Sequence, residues 1–403
     1  AELLTQAGLD VVLIEEGPLK SSRDFNQLES EAYPSLYQES ASRKTADKSI
    51  NIMQGRCVGG STTVNWTSSF RTPPATLRYW AQHFGLAEMT EESMAPWFAQ
   101  AERRLNIAPW QLAPNENNSL LRVGAAKLGI ETRVIPRNVK GCWDLGSCGL
   151  GCPTNAKQSM LLTTLPAALD KGARLFVQTR AERFDLDESR VVALECVGVN
   201  TDGTAAAGAS TRIIAKHYVV AGGAINSPAL LLRSQAPDPH RLLGKRTFLH
   251  PVVVMASTFD REVAPWSGAP QSIYSDHFLE TGPIDGPIGY KLEVPPLHPV
   301  LFASTLPGFG LPQSKTLADM PRTHVLIALM RDGFNDQSVG GSVALRSDGS
   351  PVLDYPLTDF VMDGARRAFL SMAEIQFAAG ARSVQAVHEQ AGVWTSWAQA
   401  RDA

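Results

Sequence analysis

Cysteine is scarce, with five in 403 residues and an odd total. That excludes a disulfide-stapled framework and favours a reducing compartment, so the expected location is the cytoplasm. Long apolar runs are missing too. The nearest candidate, residues 218–232, is interrupted by Asn226, Ser227 and Pro228. No transmembrane segment is therefore expected, and peripheral membrane association stays open. No charge sign dominates: 37 basic and 40 acidic residues leave a net charge of −3. No basic field exists to attract nucleic acid, so none is expected as a partner. Internal repeats and low-complexity tracts are absent. A G-x-G-x-x-G string is absent as well. What is present is an ordinary globular balance, 44% apolar and 19% charged. The length predicts two or three domains.

The chain opens on residues that read as a helix, Ala1 to Ala7, stopped by Gly8. Val11 to Ile14 follows as an apolar run suited to a buried parallel strand, ending in Glu15-Glu16-Gly17. This is the second half of a β-α-β unit. Its first strand, and the glycine-rich turn that holds a pyrophosphate at a helix N-terminus, are expected before Ala1. The chain therefore reads as an internal fragment of a larger protein. Residues 20–54 read as polar and irregular. Residues 76–106 read as helical, anchored by Trp80, Phe84, Trp97 and Leu105. Leu175–Thr179, Val191–Val199 and Arg212–Val220 read as strands, with turns at Asp202-Gly203 and at residues 347–350. Met362 to Ala379 reads as a helix ended by Gly380.

Three segments carry chemistry. An acid at the end of the second strand of a dinucleotide fold can bind ribose hydroxyls, and Glu15 holds that place. Residues 55–65, Gly-Arg-Cys-Val-Gly-Gly-Ser-Thr-Thr-Val-Asn, form a small-residue loop. Its paired glycines let a flat or charged ligand approach the main chain without a Cβ clash. Residues 219–232 read as strand, small-residue turn and helix, with Asn226 or Ser227 as cap and Pro228 at the first helical position.

Together these segments resemble the glucose-methanol-choline (GMC) family of FAD-dependent oxidoreductases. Arg56, Gly59, Gly60 and Asn65 are similar to its first signature, and Gly223 through Ser234 to its second. Phe248-Leu-His-Pro251 falls where the family has an L-x-H-P-like stretch. Phe70-Arg71 and Cys148-Gly-Leu-Gly-Cys-Pro-Thr-Asn-Ala-Lys157 look most like the branch of long-chain-alcohol oxidases and related dehydrogenases. Ser69 and Gln235 depart from the usual residues. The resemblance implies an α/β fold: a doubly wound FAD-binding domain, incomplete here, plus an α+β substrate domain with an antiparallel sheet. The FAD domain would take 1–71 and 155–250, a cap over the flavin 72–154, and the substrate domain 251–390. Residues 391–403 would begin the return to the FAD domain.

The resemblance also implies roles. Glu15 would bind the adenosine ribose. Arg56, Gly59, Gly60, Ser61, Thr62 and Asn65 would serve the flavin and pyrophosphate. Ala181 would contact adenine through its backbone, and Ala221 and Gly222 would flank the adenosine side. The catalytic His is expected beyond Ala403, so none is named here. The implied reaction is oxidation of an alcohol CH–OH group by hydride transfer to flavin. The electron acceptor, whether oxygen, quinone or cytochrome, is not given. A hydroxynitrile-type lyase and an inactive truncated fragment are the alternatives. Cys142, Cys148 and Cys152 share one loop, but their C-x5-C-x3-C spacing fits neither a zinc nor an iron–sulfur pattern. It favours a disulfide or packed thiols, and no metal is assigned.

Overall fold

The computed structural model describes residues 1–279, 281–306, 308–388 and 391–403. Residue 390, where the substrate domain was expected to end, lies outside them. Near the N-terminus, the helix Glu2–Gln6 leads into the strand Val12–Ile14. This strand pairs in parallel with Arg174–Phe176. The pair is the parallel part of the α/β layer among the described residues. Beside it lies a three-stranded antiparallel sheet of Thr179–Asp187, Arg190–Val199 and Ala205–Ile213. The helix Gly223–Arg233 packs on its first strand.

The larger body is a seven-stranded antiparallel sheet. Its spatial order is Val393–Trp394, Ser383–Ala386, Val252–Thr258, Thr323–Met330, Tyr290–Glu293, Ile273–Ser275 and Arg133–Val134. One face carries the main core. There Met255, Ile273, Leu292, Leu326 and Ala328 meet Ala365, Ala368 and Met372 of the long helix Asp359–Ala379. Thr358 caps that helix by accepting from the Val361 N–H, and Gly380 ends it at φ 100°. Met362, in its first turn, lies outward, half exposed. The helix Glu116–Lys127 packs across it at Gly124, where a Cβ would lie 2.1 Å from the Ile375 carbonyl oxygen. Thus residues within 72–154, expected as a cap, also contribute a helix and an edge strand to this body.

Several expectations are corrected. Residues 76–106 form two helices, Pro74–Phe84 and Glu91–Arg104. Gly85 in the left-handed region ends the first, and a Thr90–Ser93 capping box starts the second. Phe84 and Trp97 are not anchors, being 64% and 65% exposed. The strand expected at Arg212–Val220 is displaced to Ala205–Ile213, because the hairpin turn at Gly203 sets the register from residue 205 onward. Val219 and Val220 lie exposed without a strand partner among the described residues. The helix expected to start near Pro228 begins five residues earlier. Gly222 is its cap, and Pro228 sits in its sixth position. Residues 20–54 are not wholly irregular, since Glu29–Leu36 is a helix whose Ala32, Tyr33 and Leu36 are buried.

Candidate functional site

The three segments singled out in the sequence converge. The strand Val12–Ile14 ends at Glu15, whose carboxylate accepts from the Gly17 N–H at 2.7 Å. Gly17 lies directly on the first turn of the glycine loop. A Cβ there would be 2.2 Å from the Arg56 carbonyl oxygen, so no other residue fits without backbone movement. The Val58 N–H then donates to the Pro18 carbonyl at 3.1 Å. Burial pushes the Glu15 carboxyl up to about 7, with the Gly17 N–H opposing the rise and Glu16 adding to it.

Gly59 and Gly60 both adopt left-handed backbone, at φ 90° and 58°. They open a short 3-10 turn, Gly60–Thr63. The two glycines differ in their surroundings. A Cβ on Gly59 would strike Thr63 Oγ1 at 2.4 Å, whereas one on Gly60 would meet nothing within 4 Å. The main chain at Gly60 therefore faces open space. Side chains of the loop brace it from within. Ser61 Oγ accepts from the Gly55 N–H at 3.0 Å. Thr62 Oγ1 donates to the Gly59 carbonyl at 2.6 Å and accepts from the Met160 N–H at 3.0 Å. Asn65 Oδ1 accepts from the Thr67 N–H at 3.3 Å. Arg56 is buried and donates through Nη2 to the Thr201 and Pro34 carbonyls. Its Nη1 is buried without a partner. Cys57 is a buried free thiol, pushed by burial up to about 12.

The second-signature helix joins through Arg43. This buried guanidinium donates through Nη1 to Gln54 Oε1 at 2.8 Å and to Asn226 Oδ1 at 3.1 Å. At the other end of the same helix, Arg233 donates to the carbonyls of Glu182 at 2.8 Å and Ala181 at 3.1 Å. Ser234 Oγ accepts from the Phe184 N–H at 2.8 Å. Ala181 is thus held on its strand by that helix. Ala221 and Gly222 lie exposed just before it.

Sequence reading missed the group that ties the loops together. Lys157 is wholly buried. Its ammonium donates to the carbonyls of Thr63 at 2.9 Å, Asn65 at 2.6 Å and Cys148 at 2.7 Å. Burial draws it down to about 8, even with the Cys148, Cys152 and Cys57 sulfurs nearby. Lysine ordinarily marks surface, so composition alone gives no sign of this role. The one available signal was its place at the end of a Gly/Cys-rich loop, where carbonyls outnumber side-chain donors. Glu293 was missed as well. It is buried on the large sheet with Ser68 Oγ at 3.4 Å from its carboxylate. Burial pushes it up to about 7 against the pull of Lys291. Lys291 in turn places its ammonium 3.3 Å from the centroid of the Phe70 ring.

These residues suit a flavin dinucleotide. Glu15 is a half-buried acceptor with a single internal hydrogen bond, Arg56 keeps a buried N–H without a partner, and Gly60 presents open main chain. Ribose hydroxyls and pyrophosphate oxygens match those donors and acceptors. All five cysteines are free thiols, so no disulfide forms in the 142–152 loop. Among the described residues, no group of three His, Cys, Asp or Glu side chains is placed to hold a metal ion. No helix among them is long and apolar enough to cross a membrane.

Comparison with known proteins identifies the family. Residues 33–252 match the GMC oxidoreductase family. An uncharacterized GMC-type oxidoreductase of Mycobacterium tuberculosis is 32% identical over 387 residues, covering 95% of this chain and 58% of the relative. A long-chain-alcohol oxidase of Arabidopsis thaliana is 28% identical over 344 residues, covering 82% of this chain and 45% of the relative. The chain thus spans little more than half the length of the first of these relatives, and less than half of the second. Among solved structures, a formate oxidase of Aspergillus oryzae has a TM-score of 0.66 at 13% identity, covering 93% of this chain and 78% of its own. A pyridoxine 4-oxidase has a TM-score of 0.64 at 17% identity, covering 93% and 77%. These two show a shared fold. The match over residues 33–252, more than half of the sequence, establishes that the chain belongs to the GMC oxidoreductase family of FAD-dependent flavoproteins.

Proposed function

We propose that this protein binds FAD along Glu15, the 55–65 loop and the start of the helix at Gly223, and that it oxidises the CH–OH group of a small-molecule alcohol. One observation carries the reading. The acidic strand end and the paired-glycine loop, forty residues apart in sequence, are in direct backbone contact at Gly17 and Arg56. That contact sets a ribose-type acceptor beside a main chain open to a flat ligand.

Each residue then has a task. Glu15 accepts from ribose hydroxyls and Arg56 offers its unpartnered N–H to the dinucleotide. Gly59 and Gly60 keep side chains out of the way, and Ser61, Thr62 and Asn65 hold the loop's shape. Ala181, Ala221 and Gly222 border the adenosine end. When bound, FAD supplies a two-electron acceptor for a hydride from the alcohol carbon. On the sheet side, Glu293, Ser68 and Lys291 form a buried polar group that can orient a hydroxyl. The name of the plant relatives, long-chain-alcohol oxidase, supports an aliphatic alcohol as the substrate class.

The test is anaerobic mixing of the FAD-loaded, full-length protein with a series of primary alcohols. Loss of the flavin's visible absorbance, with one aldehyde formed per flavin, is the expected result. Cleavage of an added cyanohydrin to cyanide and a carbonyl compound without any bleaching would favour a lyase. A folded protein that holds FAD but is bleached by no alcohol would overturn the substrate class.

A further inference from the structure

The loop carrying Cys142, Cys148 and Cys152 has no assigned task. It is a fixed structure and not a loose connection. Gly149 packs so closely on Trp66 that a Cβ would lie 2.3 Å from its ring, and Gly151, at φ 86°, packs equally closely on Phe25. Tyr37 Oη donates to the Gly149 carbonyl at 2.6 Å. All three cysteines are half-buried free thiols. All three line one small cavity of about 30 Å³, open to solvent on one side.

Each sulfur meets a different set of donors. Cys142 Sγ accepts from the Asp144 N–H at 3.4 Å. Cys148 Sγ accepts from Arg137 Nη2 at 3.5 Å. Arg137 is 1% exposed, and its Nη1 has no partner. Cys152 Sγ lies 3.5 Å from Thr154 Oγ1. Cys152 also lines a second cavity, together with Lys157. Its surroundings favour the thiolate. Burial works against it, but the Thr154 hydroxyl and the backbone N–H groups of Lys157, Thr154 and Ala156 outweigh burial and lower its pKa. Burial instead raises Cys142. Of the two, Cys152 is the better nucleophile.

The cavity has room for a small reagent: a single water needs about 10–15 Å³ of such space, so about 30 Å³ accommodates a molecule of two oxygen atoms at the three sulfurs. We propose that Cys152 is a peroxide-reactive thiol, that hydrogen peroxide is its reagent, and that Cys148 resolves the product as a disulfide. In the first step the Cys152 sulfur attacks one peroxide oxygen. An S–O bond forms, the O–O bond breaks, and the departing hydroxide takes a proton to leave as water. Sulfur is oxidised by two electrons and peroxide is reduced by two. In the second step the Cys148 sulfur attacks the sulfenic sulfur. An S–S bond forms, the S–O bond breaks, and the hydroxyl leaves as water with the Cys148 proton. This inference stands apart from the flavin reading, since neither cysteine is placed in the cofactor site.

The test treats the protein with a small excess of hydrogen peroxide, with and without a dimedone-type sulfenic acid trap, and maps peptides by mass spectrometry. The wild type is expected to lose two hydrogens and yield a Cys148–Cys152 peptide pair. Cys148→Ser is expected to take up one trap molecule at Cys152, at least about tenfold faster than at Cys142 or Cys196. Cys152→Ser is expected to give neither product. Oxidation spread evenly over the cysteines, or Cys152 left reduced while others react, would overturn the proposal. So would a Cys142–Cys152 pair in place of the expected one. If Cys148→Ser does not fold, the wild-type peptide map decides between these outcomes.

Discussion

Replacing Lys157 with methionine probes the contact that joins the glycine loop to the cysteine loop. The change keeps chain length and removes the ammonium. It leaves three carbonyls, of Thr63, Asn65 and Cys148, without their donor in a fully buried place. At about 1–3 kcal/mol for each orphaned group, the loss is about 3–9 kcal/mol. Methionine also removes a cost. Burial holds the lysine at about 8 instead of 10.5, which is equivalent to about 3 kcal/mol of disfavoured charge. The midpoint of the difference is a loss of about 3 kcal/mol at neutral pH. The pH dependence has a definite sign. The folded pKa lies below the unfolded one, so the charged lysine's penalty is fully present below pH 8. It is relieved as pH climbs toward 10.5. Between about pH 7 and 9.5 the wild type should therefore gain about 2 kcal/mol relative to the variant. Urea unfolding of both proteins at the two pH values measures this. A variant as stable as wild type at pH 7, or a gap that narrows as pH rises, would refute the reasoning.

Three further changes test the surrounding structure. Gly59→Ala forces a Cβ into left-handed backbone and 2.4 Å from Thr63 Oγ1. It should cost about 1–3 kcal/mol in unfolding free energy. Glu15→Gln removes a carboxyl whose pKa is raised to about 7. Ionising that carboxyl costs the wild type stability progressively from pH 4.5 upward. The FAD-free variant should therefore gain in melting temperature relative to wild type between about pH 5 and 8, and no relative gain would count against a buried Glu15. Gly124→Ala puts a Cβ 2.1 Å from the Ile375 carbonyl oxygen and should separate the two helices, at about 1–3 kcal/mol by urea unfolding.

The legible parts of the sequence were those where local chemistry and global placement agree. The apolar run before Glu15, the paired glycines of the 55–65 loop and the Gly380 stop each carry their conformation in the residues themselves. The hairpins at Gly203 and at residues 347–350 were legible for the same reason. What was hidden depends on distant partners. Pro228 looks like a first helical residue, yet the helix runs five residues further back, starting at a left-handed Gly223. Trp97 and Phe84 fit an apolar stripe, but both side chains lie mostly exposed. Tyr218 to Val220 has strand composition and lacks a neighbouring strand among the described residues. Lys157 and Glu293 were illegible because residue type argues for exposure and only the folded contacts bury them. Glu29 is a similar case. Its carboxylate caps a helix 271 residues away by accepting from the Val300 N–H at 2.8 Å and the Leu301 N–H at 2.9 Å.

The central claim is that Glu15 and the paired-glycine loop form one FAD site. The most direct measurement is the flavin content of the full-length protein and its Gly59→Ala and Glu15→Ala variants, each first checked for native circular dichroism. The account predicts one FAD per chain in the wild type, with affinity at least about tenfold weaker in each variant. Folded variants that still hold one FAD per chain with undiminished affinity would contradict it.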